Sequence, residues 1–386
     1  MASLTNVQLF IREGMIEFGW GHPHASLLPI EGIGRATEVA LRDFGSSALA
    51  YGAEQGPGRL IEAICKHLEL IDGKAPTPQE IFITGGISQG IDLLCTLLVK
   101  PGDVALVESP VYHLALRILR DHQPELIAVP SDQEGLRSDA LAETIERLAA
   151  QGKRPRLLYT VPSFTNPTGR TMSDRRRAEL MKLVEQHDLI VFEDDVYREL
   201  WFDQPPPPAL ASYGSPERVI RLCSFSKILS PGLRLGWFVA DPSFVQRCVT
   251  SGMIDSGGGV NHLTAHIVAE FLHAGELEPH VARLRAAYKA RSEVLLAALN
   301  EHLPAGCTIA KPQGGFFIWI ELPEGMDCLT LLEKAEAMGV SFLPGTRFHS
   351  DGSGQRFIRL AFSMLEEDEM REGARRLGAA MRALQA

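Results

Sequence analysis

The chain has 386 residues, 45% of them hydrophobic, which is enough for a large buried core and for one big domain plus a smaller one. A formal net charge of −10, with no basic run and no zinc-type ligand spacing, argues against a nucleic-acid partner. No apolar run is long enough to cross a bilayer, so no membrane association is expected, and Met1-Ala2-Ser3-Leu4-Thr5 lacks the charged-then-apolar pattern of a signal peptide.

Strand-like runs at 80–84, 103–108, 125–129, 155–161, 189–193, 217–223 and 235–240 alternate with amphipathic segments near 88–99, 138–150 and 174–187. Such alternation predicts an α/β fold whose mostly parallel sheet is covered on both faces, with ligand groups gathered at the strand ends. Pro205 to Pro208 read as a stiff surface loop, because the strand pattern continues on both sides. A long helix-like stretch near 276–299 leads into a C-terminal part holding Gly314-Gly315-Phe316-Phe317-Ile318-Trp319 and Val340-Ser341-Phe342-Leu343-Pro344-Gly345. The cysteines Cys65, Cys95, Cys223, Cys248, Cys307 and Cys328 are widely spaced and mostly in apolar surroundings, as expected of reduced thiols in a cytoplasmic protein.

The segment Ser224-Phe225-Ser226-Lys227-Ile228-Leu229-Ser230-Pro231-Gly232-Leu233-Arg234 carries the most chemistry. It joins two apolar runs, which places Lys227 in a connection at a sheet edge. A lysine amine attacks a carbonyl only when neutral, so desolvation or a neighbouring cation must remove its proton. Arg234 is placed to supply that charge and to grip an anion with its planar fork. Taken alone, Ser-x-Ser-Lys is more often a surface lysine in a serine-rich turn.

Other segments weigh on that choice. In Leu189-Ile190-Val191-Phe192-Glu193-Asp194-Asp195-Val196-Tyr197 an apolar strand runs into acids and a tyrosine; strand-end acids also serve as caps, a role open to Glu193 or Asp195. Pro162-Ser163-Phe164-Thr165-Asn166-Pro167-Thr168-Gly169 is first of all a turn. Glu80 to Gly90 offers a strand, a glycine turn and a helix start at Ile87-Ser88, where backbone N–H groups suit an anion. It is neither a Walker loop nor a dinucleotide fingerprint. His262 and His266 lie four apart, a spacing compatible with a metal on one helix face, but no glutamate follows His262, and no metal site is expected.

Across nearly its whole length the chain resembles the class I/II aminotransferases, fold-type I enzymes dependent on pyridoxal 5′-phosphate (PLP), and among them the multisubstrate 2-aminoadipate/kynurenine type. The resemblance rests on Asn166-Pro167-Thr168-Gly169, Asp194 with Tyr197, and Ser224-x-Ser226-Lys227 with Arg234. It implies a catalytic Lys227 that bonds the cofactor, with Asp194 on the ring nitrogen and Asn166 and Tyr197 on the phenolic oxygen. Tyr112 would stack on the ring, and the phosphate would meet the Ile87 amide, Ser88, Ser224, Ser226, Arg234 and Tyr51 of a neighbouring subunit. Many relatives carry a small polar residue where Ile87 stands, which removes a side-chain bond and leaves the amide.

For the substrate the resemblance implies Arg359 on the α-carboxylate, with Asn166 and Gly21 beside it. Trp20 stands where a small residue is usual, and His22 replaces an apolar one. Contact with the substrate side chain and packing against a partner subunit are both open to them. The loop Ser256-Gly257-Gly258-Gly259-Val260-Asn261 has no arginine, so a dedicated second carboxylate pocket is not expected there. The resemblance further implies a homodimer with shared sites, and three parts: an N-terminal arm at 1–45 packing with the small domain, a large cofactor domain at 46–285, and a C-terminal α+β domain at 286–386. Amino-group transfer between an amino acid and a 2-oxo acid is the expected reaction. β-Elimination and oxidative deamination use the same cofactor contacts. A PLP-sensing regulator is disfavoured because such proteins carry a DNA-binding domain ahead of this one and the chain starts close to the substrate loop.

Overall fold

The computed structural model describes residues 12–385; the first eleven residues of the expected N-terminal arm, and with them the start of the chain, lie outside it. Its strands are β1 (Ile16–Glu17), β2 (Ile81–Thr84), β3 (Val104–Ser109), β4 (Glu125–Asp132), β5 (Gly135–Leu136), β6 (Pro155–Thr160), β7 (Ile190–Asp194), β8 (Val219–Ser224), β9 (Gly236–Val239), β10 (Thr308–Ile309), β11 (Phe317–Glu321), β12 (Val340–Ser341), β13 (Leu343–Pro344) and β14 (Phe357–Ala361). Eight of them make one sheet in the order β2-β9-β8-β7-β6-β3-β4-β5. β8, β7, β6, β3 and β4 run parallel, β9 is antiparallel to both its neighbours, and β5 turns back on β4. All seven runs expected from the sequence are strands of this sheet, with ends displaced by three residues at most.

The sheet is buried on both faces, which is why its strands read as continuous apolar runs. Tyr159, Phe192, Ile220, Leu222 and Phe238 pack one face against the helices Ile87–Leu98, His113–Asp121 and Pro242–Val249. Leu106, Leu158, Val191 and Val219 pack the other against Ser138–Ala150 and Asp174–Gln186. Each fully buried side chain of this size contributes about 1.5–3 kcal/mol. Alternation along β7 therefore sends Asp194 to the face of Phe192 and Glu193 to that of Val191.

A second sheet, β10-β11-β14-β13, is antiparallel and follows the long helix Leu277–His302. β1 pairs in parallel with β12, and the segment after it is stitched in by Phe18 N–H to Ser341 O (2.9 Å) and Ala361 N–H to Phe18 O (2.8 Å). These bonds carry the chain to Gly19 and Gly21, whose carbonyls accept from Arg359 on β14 and from Lys227 after β8. One expectation needs correction: the connection carrying Lys227 is not at an edge strand. β8 and β9 are interior strands, and the connection sits on the rim formed by the strand ends.

Candidate active site

The rim gathers one group from each of three adjacent parallel strands. After β8, Ser224 Oγ accepts the Ser226 N–H (3.1 Å) and caps the short helix Phe225–Ile228, which lifts Lys227 over the strand ends. Lys227 Nζ donates to Gly21 O (3.1 Å) and lies 5.9 Å and 5.5 Å from the ring centres of Tyr197 and Phe316. Burial, reinforced by the charge of Arg359, brings its pKa down to about 8 against the pull of Asp194. Arg234 adds less than Arg359, so the neighbouring cation anticipated from the sequence is chiefly a different residue.

Asp194 ends β7 with 2% exposure, and Tyr159 on β6 donates to its Oδ2 at 2.5 Å. Its Oδ1 is buried and has no hydrogen-bond partner among the described residues. Burial raises its pKa to about 6, with the Tyr159 bond opposing. The neighbouring acids are engaged elsewhere: Glu193 accepts the Leu210 N–H, and Asp195 Oδ2 receives Arg221 Nε at 2.8 Å.

Asn166, after β6, is buried, and its Oδ1 accepts from Arg359 Nη1 (3.0 Å). Arg359 on β14 is 3% exposed, not solvated as an arginine on such a strand usually is; it lies over Phe317 (4.1 Å) and Phe348 (5.1 Å), donates to Gly19 O, and leaves Nε unpaired among the described residues. Tyr112 caps the helix His113–Asp121, and burial with the nearby Asp194 charge pushes its phenol up to about 12. Tyr197 is buried edge-on to Phe316 and Phe317.

On the same rim, just after β2, Gly86 opens the helix Ile87–Leu98 with φ 85°, so the amides of Ile87 and Ser88 belong to its first turn. A Cβ at Gly86 would stand 2.8 Å from Arg234 Nη2, and one at Gly236 would stand 2.7 Å from Cys223 O. Only glycine lets these backbones close around the spot. The Arg234 guanidinium is exposed and donates to Pro231 O (3.1 Å), while its backbone carbonyl receives the Asn261 side-chain amide. A helix N-terminus beside an arginine is a combination that suits an anion.

On the N-terminal segment, Gly19 O and Gly21 O are bound by the two cations, which puts Trp20 between them. Trp20 packs edge-on to His22 (5.9 Å), and burial followed by the Lys227 charge lowers the His22 pKa. A Cβ at Gly21 would stand 2.7 Å from the Phe317 ring. Tyr51 is not in this cleft; it is 89% exposed on the surface. His262 and His266 pack edge-on at 4.6 Å beside Phe44, and no metal-ligand cluster occurs among the described residues. The sequence reading passed over Tyr159 and the aromatic pair around Arg359. The legible signal for Tyr159 was a polar-tipped aromatic on the strand beside the acid, on the face that alternation assigns to Asp194.

An open doubly covered sheet with an amine, an orphaned carboxylate oxygen and an anion cradle on its rim defines a fold-type I PLP enzyme. A family model for aminotransferases of class I and II matches residues 22–377, and the chain belongs to that family, whose members act with PLP. It is 35% identical over 364 residues to aromatic-amino-acid aminotransferase 1 of Thermococcus litoralis, covering 94% of this chain and 87% of that one. It is 34% identical over 383 residues to the 2-aminoadipate transaminase of Thermus thermophilus, covering 98% and 93%. The crystal structure of a multiple substrate aminotransferase from Thermococcus profundus superposes with a TM-score of 0.92 at 34% identity, covering 97% and 93%. The protein is a PLP-dependent aminotransferase. The residues present fit the cofactor, because a buried carboxylate oxygen without a donor matches a protonated ring nitrogen.

Proposed function

We propose that Lys227 is the residue that bonds PLP and that the cleft around it moves an amino group from an L-amino acid to a 2-oxo acid in two half-reactions. When bound, the cofactor supplies an electron sink for the negative charge left at the substrate Cα. Asp194 Oδ1 would hold the ring nitrogen, Asn166 and Tyr197 its phenolic oxygen, and Tyr112 the ring face. Ser88, Ser224, Ser226, Arg234 and the Ile87 amide would hold the phosphate. Arg359 takes the α-carboxylate with Asn166 and the Gly21 segment beside it, and Phe317 and Phe348 fix the plane of its guanidinium.

The proton is moved by Lys227 Nζ. With a pKa of about 8 its amine is neutral in roughly a tenth of molecules at pH 7, against fewer than about one in a thousand for an ordinary lysine. It would take up the substrate's Cα proton and hold it in the cleft as the acid for the return transfer. Amino acid and oxo acid use the cleft in turn, so kinetics are ping-pong.

The preferred donor has a flat or apolar side chain. Trp20, with His22 edge-on to it, lies in the chain between the carbonyls that bind Arg359 and Lys227, the Ser256–Asn261 loop brings no arginine, and one relative is named for aromatic amino acids. The 2-aminoadipate relative supports an acidic donor as the second reading. The active form is a homodimer in which Tyr51 reaches the partner's phosphate site; its 89% exposure beside Leu49 at 69% is what an interface would cover. Six free cysteines, five of them buried, suit a reducing cytoplasm, and no helix among the described residues is long and apolar enough to cross a membrane.

A buried lysine amine of lowered pKa within the electrostatic reach of a carboxylate whose Oδ1 has no partner among the described residues carries this reading. Mixing holoenzyme with single amino acids, without acceptor, should release one equivalent of 2-oxo acid per site and no ammonia. Ammonia instead would mark elimination or oxidative deamination.

A further inference from the structure

We propose that Tyr159 is a positioning residue for the cofactor's ring nitrogen: its phenol ties down one oxygen of Asp194 so that the other faces the cleft. The inference rests on the assignment of Asp194 to that nitrogen. Register sets the geometry, since Tyr159 on β6 lies opposite Phe192 on β7 and Asp194 is one pleat further along the same face. The length of a phenol spans that step, and Oη donates to Oδ2 at 2.5 Å. The Tyr159 ring is fully buried in the apolar cluster with Phe82, Leu94, Phe192 and Leu222, so it has no second position to adopt.

The consequence is chemical. With Oδ2 occupied, Asp194 cannot turn its plane, and the lone pairs of Oδ1 keep one direction. The bond also favours the anion: among the influences opposing the burial of Asp194, the Tyr159 hydrogen bond is the largest. Without it the shared proton moves from the ring nitrogen toward the carboxylate. The ring then loses the positive charge that makes it an electron sink.

The test uses holoenzyme loaded with PLP carrying 15N in the ring, comparing wild type with Tyr159→Phe. Tyr213→Phe serves as control, because Tyr213 makes a tyrosine–aspartate bond to Asp174 near the surface, away from the cleft. Wild type and control should show a protonated ring nitrogen. Tyr159→Phe should shift that signal toward the neutral form, weaken PLP binding about tenfold, equivalent to about 1.4 kcal/mol, and lower kcat with KM for the amino acid unchanged. If the phenylalanine variant does not fold, 4-aminophenylalanine and 4-methylphenylalanine at position 159 make the same comparison at constant volume, and only the amino form should keep the wild-type signal. Unchanged ring protonation and PLP affinity in the donor-less variants overturn the role of Tyr159. A neutral ring nitrogen in wild type overturns the Asp194 assignment itself, and this inference with it.

Discussion

Arg177 and Arg359 are both buried arginines near the rim of the large sheet, yet their surroundings differ. Arg177 donates to Met172 O, Pro208 O, Pro162 O and Ser163 Oγ, whereas Arg359 meets Asn166 and Gly19 O and leaves Nε without a partner among the described residues. The acids divide by whether a cation faces them. Both adjacent aspartates leave a buried Oδ1 without a partner among the described residues, but Asp195 Oδ2 is paired with Arg221, which also reaches Asp72, itself shared with Arg198, whereas Asp194 Oδ2 has only the neutral Tyr159 phenol. A buried group left unpaired costs about 1–3 kcal/mol, and the chain offsets that with an opposite charge or several bonds at the groups that hold it together. It leaves open those that a ligand completes. Orphaned atoms also occur elsewhere, as at Asp195, Tyr288 and His280, and what marks the cleft is their convergence with Lys227.

The contrast between saturated and open groups can be broken from either side. On the open side, Lys227→Ala should lower turnover by more than about 10⁴-fold, the upper range of a positioned acid–base group, and leave the melting temperature of the apoprotein unchanged or higher. Retained turnover would remove Lys227 from the chemistry. On the saturated side, Arg221→Met takes the close cation from Asp195 and leaves Asp72 with Arg198 alone, and should cost about 3–5 kcal/mol in thermal unfolding. The fraction still folded at low temperature should keep wild-type kcat.

Adjacent aspartates should respond with opposite signs. Burial lifts the Asp194 carboxyl from its ordinary 3.8 to about 6, so between these values the folded apoprotein holds a proton that the unfolded chain has released. Stability therefore falls as pH rises through this window and stays reduced above it, by on the order of 3 kcal/mol. Asp194→Asn should raise the apoprotein melting temperature at pH 8, and the gain should vanish toward pH 4. Asp195→Asn should lower it at pH 8, because Arg221 loses a partner. Shifts of the same sign would contradict the division. The smallest effect is expected at the entrance: Trp20→Gly should change the ratio of kcat/KM between aromatic and small amino acids by roughly tenfold, about the worth of one aromatic contact, with PLP affinity unchanged. An unaltered preference across a substrate panel would assign Trp20 to packing.

Much of the sheet could be read from the sequence, because a parallel sheet buried on both faces imprints uninterrupted apolar runs such as Val104 to Val107 and Val219 to Leu222. The residues that follow those runs, Asn166, Asp194 and Ser224, were legible for the same reason: topology brings successive parallel strand ends to one rim. Long-range partners were not. That Arg359, rather than Arg234, is the cation pressing most on Lys227 depends on how β14 is carried to the cleft, and the donation from Tyr159 to Asp194 depends on the register of β6 and β7. Tyr51 is a different case, since a residue that acts in a neighbouring subunit leaves only an exposed side chain on its own.

The central claim is that the amine of Lys227 bonds the cofactor opposite Asp194. Holoenzyme reduced with borohydride and digested with trypsin tests it most directly. Cleavage after Arg221 and Arg234, blocked at a modified lysine, should give the peptide Leu222 to Arg234 carrying the mass of one reduced pyridoxyl phosphate. The label on any other lysine, or no label on a protein that has taken up PLP, would contradict the account.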